Sequence, residues 1–486
     1  MAIDSHRDDF DESADDVLRL RDCIAGQRQM QLHRELYLRR PEGMTDDREW
    51  RAYADHTPFF EATGRTLEGL TGMAFVKDPT LDVADRLKPL TQDMTLDGVD
   101  IYGVAKQALK HVVGVNRVGA LVDFPPADPN VRNRRDEERQ NRRPFVRLYP
   151  REAVFNWRSA KVRNARQLVE VRIKETEIIR TAEFEVAIEN RIRLLELTGS
   201  DTAGWVYRQR VFVEKPKGKN KTEWVEDASL ASTPVLPDGS PFEYIPFWFC
   251  NSDDLTDALV KPPLLGLANA NVAHFNTSAM LERVLSFVGA PQPYVIGVNF
   301  GENDPRPTIG SSEAWLFNDP NVQVGYLSCP ADGTAALERR LDTFEHHMAL
   351  LGARMLSADK KGVEAAETAA IHRQGEISVL AACCNSVSAL MSSILRVMAE
   401  WAALPVPGDD CFKIDTKFFA EPMAPEAALN LVKVWQSGAI GFSDMIAKLR
   451  DGQVVAKDRS ADDVKAEIQS SGQQPLLAGV IGTGGA

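Results

Sequence analysis

The spacing of apolar residues predicts helices at the start of the chain, followed by one strand. Apolar positions recur with helical spacing over residues 17–36 and 67–113. The mostly apolar run Ala120-Leu121-Val122-Asp123-Phe124 is followed directly by Pro125 and Pro126. Because proline lacks a backbone N–H and cannot continue a ladder, this run predicts a strand that ends at the prolines.

Alternation replaces helical spacing between residues 145 and 250. Val169, Val171 and Ile173 alternate with charged residues, which is the pattern of a strand with one buried face. The polar segment 215–223, with the sequence KPKGKNKTE, predicts a hairpin loop. We therefore expect an antiparallel sheet with one face in water.

The second half of the chain predicts long helices. Pro262 and Pro263 open an apolar helix over 264–288. Residues 290–330, rich in Pro, Gly and Asn, are expected to form a compact insert that contains β-structure. Two heptad-like seams of apolar residues follow at spacings of 3 and 4. The first comprises Leu337, Leu341, Phe344, Met348, Leu351 and Met355, and the second Ile377, Leu380, Cys384, Val387, Met391, Ile394, Met398 and Trp401.

The residues alone leave two interpretations of these seams open. Each is either a helix face buried inside its own subunit or a face that packs against neighbouring subunits. At 1.5 Å per residue the two helices would be about 33 and 38 Å long. The polar segment 357–362 between them predicts a loop. Beyond it we expect a strand at 412–418, helices near 425–437, 442–450 and 461–469, and a disordered glycine-rich tail.

Composition narrows the class of protein. With 486 residues, 44% apolar and 26% charged, the chain has the composition of a globular protein. The N-terminus lacks the apolar run of a signal peptide. The most apolar stretch, 379–404, contains Arg396 and Glu400, which argues against a membrane span. Six cysteines without a CxxC pair exclude a disulfide framework and a zinc ribbon and favour a reducing compartment.

Charge is distributed unevenly along the chain. The 57 basic and 70 acidic residues give a net charge of −13, which argues against a tight DNA binder. Residues 131–174 hold 14 basic and 5 acidic residues, a local charge of +9. This stretch is either a solvated loop with strand edges that arginines protect, or a contact surface for an acidic partner. The arginines of such an outer contact patch are Arg132, Arg134, Arg135, Arg139, Arg142 and Arg143.

Catalytic motifs are missing from the sequence. There is no P-loop, HExxH, GxSxG or GxGxxG motif after a strand. His346 and His347 are neighbours and face different directions, whereas a metal pair on a helix needs a shared face. The residues alone therefore predict an acidic protein of mixed helix and sheet. We expect no catalytic residues, no metal site and no cofactor.

Several short motifs occur in order over residues 20–450. They are Tyr149-Pro150 before Asn156-Trp157-Arg158, Ile245-Pro246-Phe247 before the segment 262–268, the segments 274–278 and 352–356, and Glu367-Thr368-Ala369 at the start of the longest helix. Their number and order resemble tailed-bacteriophage portal proteins, the head–tail connectors. The resemblance implies an α+β, portal-like fold, in which long helices form the stem and the core of the wing, with a β-rich wing region and a small α/β clip.

The resemblance also implies a division of the chain. The wing would span 1–255, with its β-rich part at 145–250. The remaining parts would be a first stem helix at 256–289, the clip at 290–330, a second stem helix at 331–356, a tunnel loop at 357–363, a long wing helix and returning strand at 364–440, crown-like helices at 441–470 and a disordered tail at 471–486.

The function implied is that of a portal protein, a ring-shaped channel at one capsid vertex through which genomic DNA is packaged and ejected. Family members form dodecameric rings there, to which the terminase and then the neck and tail proteins dock. The implied partners are other copies of the chain, the terminase large subunit, head-completion or neck adaptor proteins, the major capsid or scaffold protein, and double-stranded DNA bound without sequence preference, but no membrane. The implied location is the virion, with the host cytoplasm during assembly.

The loop between the two long helices would line the channel in such a ring. The tunnel-loop residues are Asp359, Lys360, Lys361 and Gly362, and the lysines either touch passing DNA or are simply solvated. The first seam would pack subunits together. The alternatives to a portal are another virion structural or adaptor protein and a metal-dependent nuclease.

Overall fold

The computed structural model describes most of the chain in two units, Met1–Thr416 and Lys417–Ala486. The described residues are 2–125, 131, 134–180, 182–218, 221–289, 292–298, 317, 321–327, 333–352, 366–416, 418, 425–451, 454–455, 459 and 461–470.

The first unit begins with helices, as the apolar spacing predicts. They are α1 (Asp8–Glu12), α2 (Ala14–Ala25), α3 (Gln27–Leu32), α4 (Arg34–Tyr37), α5 (Asp47–His56), α6 (Ala62–Ala74), α7 (Lys88–Gln92) and α8 (Ile101–Val115). The side chain of Asp100 caps α8 by accepting a hydrogen bond from the Gly103 N–H at 2.8 Å. Asn116 ends α8 in the left-handed conformation that asparagine tolerates.

A three-stranded antiparallel sheet follows α8 in the first unit. Its order is β3-β2-β9, with β2 (Val118–Asp123) between β3 (Phe145–Pro150) and β9 (Phe247–Cys250). Strand β2 is the one predicted before the prolines, and five of its six residues are buried. A smaller pair joins β1 (Thr80–Leu81) to β12 (Phe412–Lys413). A short helix, α9 (Arg134–Arg139), lies between β2 and β3 along the chain.

The predicted β-rich region is a five-stranded antiparallel meander. Its strands, in spatial and chain order, are β4 (Val154–Val162), β5 (Ala165–Arg180), β6 (Val186–Ser200), β7 (Gly204–Pro216) and β8 (Thr222–Glu226). The hairpin predicted at 215–223 is present between β7 and β8.

A polar cluster links β3 of the small sheet to the meander. Glu175 Oε1 accepts hydrogen bonds from Tyr149 Oη at 2.5 Å, Arg193 Nε at 2.9 Å and Arg147 Nη1 at 3.3 Å. Burial acts to raise the pKa of Glu175, but Arg193 and these hydrogen bonds outweigh burial, so the pKa lies below its ordinary value. The cluster therefore contributes a charged, hydrogen-bonded link between the two sheets.

Two helices joined through a β-hairpin follow the sheets. They are α10 (Leu265–Gly289) and α11 (Thr334–Leu350), and the hairpin pairs β10 (Gln292–Ile296) with β11 (Gln323–Leu327). Helix α10 begins after the two prolines, as predicted. The second predicted helix, 331–356, ends at Leu350 within the described residues, and Gly352 has a φ of +136°, which does not continue a helix.

Helix α12 (Ala366–Trp401) supplies much of the core of the first unit. The members of the second seam from Leu380 to Trp401 are all buried, and so are Leu390 and Leu395 beside them. Its segment Val379–Trp401 is long and apolar enough to cross a membrane by length and composition alone. Packing against α8, β9 and β12 accounts for that apolarity, since most of the segment is buried inside the protein.

The second unit contains α13 (Pro425–Gln436), α14 (Phe442–Asp451) and α15 (Ala461–Ser470). Its core is Met445, Ile446 and Leu449 of α14, against which side chains such as Trp435 pack. The boundary predicted at 440 therefore falls inside this unit. Phe412 pairs with β1 and therefore belongs to the first unit. Helix α13 packs with α14 and belongs to the second unit, so the division between the units comes after Thr416. The predicted tail, 471–486, lies outside the described residues.

Candidate assembly surface

Helices α10 and α11 pack against each other in antiparallel orientation. Gly266, near the start of α10, faces Leu351, just after the end of α11. Further along, His274 Nε2 lies 3.6 Å from Glu345 Oε1. His274 is itself buried against the ring of Phe60, and burial lowers the pKa of its imidazole. The motif at 274–278 therefore serves the contacts of α10 with α11 and with the segment just before α6.

Exposure of apolar side chains rises along α10. Leu267 and Phe275, in its first half, are buried. In its second half, Met280, Leu285 and Phe287 are 41–55% exposed. Exposed apolar residues that cluster in this way mark contact sites on protein surfaces.

The hairpin that follows α10 along the chain continues this exposure. It is a two-stranded sheet, which by itself is marginally stable in water. Its apolar side chains are 44–70% exposed. They are Tyr294, Ile296, Val324, Tyr326 and Leu327. We call these five residues, with Met280, Leu285 and Phe287, the distal apolar surface. By strand register, Tyr294, Ile296 and Leu327 lie on one face of the hairpin and Val324 and Tyr326 on the other, so this surface includes both faces.

The first sequence seam lies along α11 next to α10. Met348 is fully buried, whereas Leu337, Leu341 and Phe344 are half-buried and Leu351 is 49% exposed. The structure thus brings one seam residue fully into the protomer and leaves the others with area that a neighbouring protein could cover. Met355 lies outside the described residues, as do the tunnel-loop residues Asp359, Lys360, Lys361 and Gly362.

The proposed outer contact patch is only partly available for a partner. Arg135 and Arg139 are exposed on α9. Arg142 instead donates to the Pro125 carbonyl at 3.0 Å, and Arg143 Nη2 lies 2.6 Å from Asp93 Oδ2. Arg132 lies outside the described residues, and only the helical backbone is described for Arg134.

Acidic residues from outside the stretch 131–174 neutralise much of its local charge. Arg147 pairs with Glu175, Arg163 with Glu243 and Arg166 with Asp257. The last two acids are more than 75 residues away along the chain. The +9 seen along the sequence is therefore not a +9 surface in space.

Other motif residues form internal contacts. Trp157, in the motif at 156–158, lies between two guanidinium groups, with Arg7 4.3 Å and Arg117 4.1 Å from its ring centroid. Arg117 is buried, and burial lowers its pKa to about 9. Such cation–π contacts between a desolvated arginine and tryptophan stabilise the fold.

The described residues contain no group of three or more His, Cys, Asp or Glu side chains that could hold a metal ion. The five cysteines they include are buried and free. Burial raises the pKa of Cys23 and Cys383 to about 12, which keeps these thiols protonated and unreactive.

Sequence reasoning missed most of the distal apolar surface. The apolar residues near the end of α10 continue the apolar helix without a change of pattern, so nothing local distinguishes buried from exposed positions. Sequence reasoning also missed an exposed apolar group on the β5–β6 hairpin, comprising Ile178, Val186 and Ile188 on the strands and Phe184 in the turn. A signal for this group was present in the sequence, because these apolar residues stand where a sheet face in water is expected to have charged side chains.

Comparisons with known proteins give a family match over part of the chain. A family described as a domain of unknown function, DUF4055, matches residues 263–402, which include α10, α11 and α12. A comparison with curated protein sequences finds no significant match.

Two solved structures overlap with most of the chain at low similarity. A chain from the neck of an empty GTA particle, computed with C6 symmetry, is 12% identical with a TM-score of 0.36 and covers 80% of this chain and 90% of its own. A chain from the neck of a native GTA particle, computed with C12 symmetry, is 13% identical with a TM-score of 0.35 and covers 82% and 90%. Because these TM-scores are low, we take neither fold nor function from them.

Proposed function

We propose that the protein is a structural, non-enzymatic subunit of a phage-like particle, which assembles into a ring between head and tail and acts there as the portal. The ring would form a channel for DNA at one capsid vertex. The stem would be α10 and α11, the clip would contain β10 and β11, the wing would contain both larger sheets and α12, and the crown would be the helices beyond residue 440. The terminase and then the neck proteins would dock on this ring.

The distal apolar surface carries the proposal. Covering a half-exposed apolar side chain of this size contributes about 1 kcal/mol, so eight such side chains provide a substantial driving force for assembly. The half-buried seam on α11 adds to it. An antiparallel helix pair that contacts a neighbour on each side makes heterologous contacts, and these close into a ring when the rotation permits.

The net charge is consistent with a channel. Each phosphate contact made by a basic side chain releases counterions and adds affinity, so a channel that lets DNA pass needs few such contacts. A net charge of −13 satisfies that condition. The seam and the distal surface explain assembly, and the charge explains why DNA would not adhere.

Mass photometry and negative-stain microscopy of the purified full chain test the ring. We expect a ring with a central hole for the wild type. Phe287→Asp together with Ile296→Asp should give protomers with an unchanged circular-dichroism spectrum. Val406→Asp is the matched control, because Val406 is 52% exposed and lies outside the distal apolar surface.

The outcomes separate the proposal from its alternatives. A protomer at all concentrations, or a small oligomer without a hole, would contradict the ring. Metal-dependent cleavage of DNA would favour a nuclease. In particles that carry the Phe287→Asp and Ile296→Asp chain, a portal role predicts heads without DNA, whereas filled heads without tails would favour an adaptor that acts after packaging.

A further inference from the structure

The hairpin β5–β6 extends beyond the strands on either side of it. Strand β4 pairs with β5 as far as Ile173, and β7 pairs with β6 as far as Arg191, whereas β5 and β6 remain paired out to Arg180 and Val186. Five residue pairs, from Thr176 with Asn190 to Arg180 with Val186, thus continue as a two-stranded ribbon, about 17 Å long at 3.4 Å per residue. We call residues 176–190 the β arm.

Apolar side chains on the β arm lie almost fully in water. Ile178 and Ile188 are direct cross-strand partners and share a face with Val186, while Phe184 lies in the turn. These four side chains are 68–92% exposed. A two-stranded ribbon with such a face gains stability only when another surface covers it.

The charge of the β arm restricts what can cover it. Residues 176–190 contain four glutamates and one arginine. Carboxylate oxygens of Glu177 and Glu189 lie 3.6 and 2.6 Å from guanidinium nitrogens of Arg191. Glu183 and Glu185 are exposed on either side of Phe184. The complementary surface is therefore apolar at its centre and basic around it.

A surface of this kind lies on the N-terminal helices of the same chain. Leu32, the last residue of α3, and Leu36, in α4, are 62% and 61% exposed. Residues 27–40 contain four arginines and one glutamate, and Arg28 and Arg39 are exposed. The glutamate, Glu35, already accepts a hydrogen bond from Trp50 Nε1 at 2.6 Å. We call Arg28, Leu32, Leu36 and Arg39 the α3–α4 surface.

We propose that the β arm of one subunit docks on the α3–α4 surface of the next copy of the chain. Both surfaces have exposed apolar centres, and their charges are opposite in sign. In one protomer both lie in water, so neither covers the other. A contact between two different surfaces of identical chains is heterologous, which a closed ring requires. This inference rests on the proposed ring and adds a second contact to it, away from the distal apolar surface.

Disulfide crosslinking tests the contact in the full chain. In Phe184→Cys with Leu36→Cys, mild oxidation should give a ladder of covalent oligomers on a non-reducing gel. A disulfide within one chain would leave a protomer band instead. Each single variant controls for native cysteines, and Phe184→Cys with Val406→Cys controls for random collision. A wild-type ring without a ladder would overturn the docking while leaving the ring intact, and absence of a ring would overturn both.

Charge reversal provides an independent measurement of assembly. Glu183→Arg with Glu185→Arg should weaken ring assembly about tenfold, because two exposed attractions become repulsions. Arg28→Glu with Arg39→Glu should restore it when both changes are in the same chain. Failure of restoration would overturn the proposal. Intact rings that no longer enter particles would also overturn it, because the arm would then bind another virion protein.

Discussion

Separate substitutions of Met348 and Leu341 should distinguish packing inside a protomer from packing between protomers. Met348→Ala removes three heavy atoms from a fully buried site and should cost about 2–5 kcal/mol of the free energy of unfolding. Leu341 is half-buried, so Leu341→Ala should cost only about 1 kcal/mol in the protomer. Leu341→Asp would place an unpaired carboxylate at the covered seam of the ring. A penalty of about 3 kcal/mol there weakens each contact about a hundredfold.

Assembly must be separated from folding in this measurement, because binding to another subunit raises apparent stability. Urea unfolding is therefore compared in the Phe287→Asp, Ile296→Asp background, and ring formation is followed by mass photometry in the wild-type background. Normal rings from Leu341→Asp would show that no neighbour covers the seam. An unchanged free energy of unfolding for Met348→Ala would refute its burial against α10.

Three further predictions concern charged side chains. Glu175→Ala should cost about 1–3 kcal/mol of unfolding free energy at pH 7, because the largely buried Arg193 loses one partner and keeps Asp123 and Gln209. Because the pKa of Glu175 is lowered by folding, its contribution is present above the ordinary value of 4.5 and is lost as pH falls through the folded pKa. Unfolding of Glu175→Gln should therefore depend less on pH in that range. Arg143→Ser should lower the melting temperature, whereas Arg139→Ser, its exposed control, should not. If the two variants melt alike, the contact of Arg143 with Asp93 contributes nothing measurable. Lys360→Ala with Lys361→Ala should leave rings intact and change only the length or retention of packaged DNA, and unchanged packaging would favour solvated lysines.

The sequence by itself determined the elements and their order. Proline pairs ended β2 and opened α10, alternation predicted the meander, and apolar spacing predicted the long helices. These signals are local, because they depend on backbone restrictions and on which face of one element is apolar. The same patterns do not identify which element or which neighbouring subunit packs against an apolar face. Seam residues of α12 are core, whereas Leu337, Leu341 and Phe344 of α11, which have the same spacing, are half-buried.

Tertiary structure alone decided where charge and apolar area remain in water. Arg163 and Arg166 are paired in space with acids far away along the chain, so the charge of the surface that contains 131–174 could not be read from the stretch itself. The β arm is exposed because β4 and β7 stop pairing before β5 and β6 do, which depends on register between strands. Whether a side chain is buried depends on the element that packs against it. The pattern of a single segment does not identify that second element.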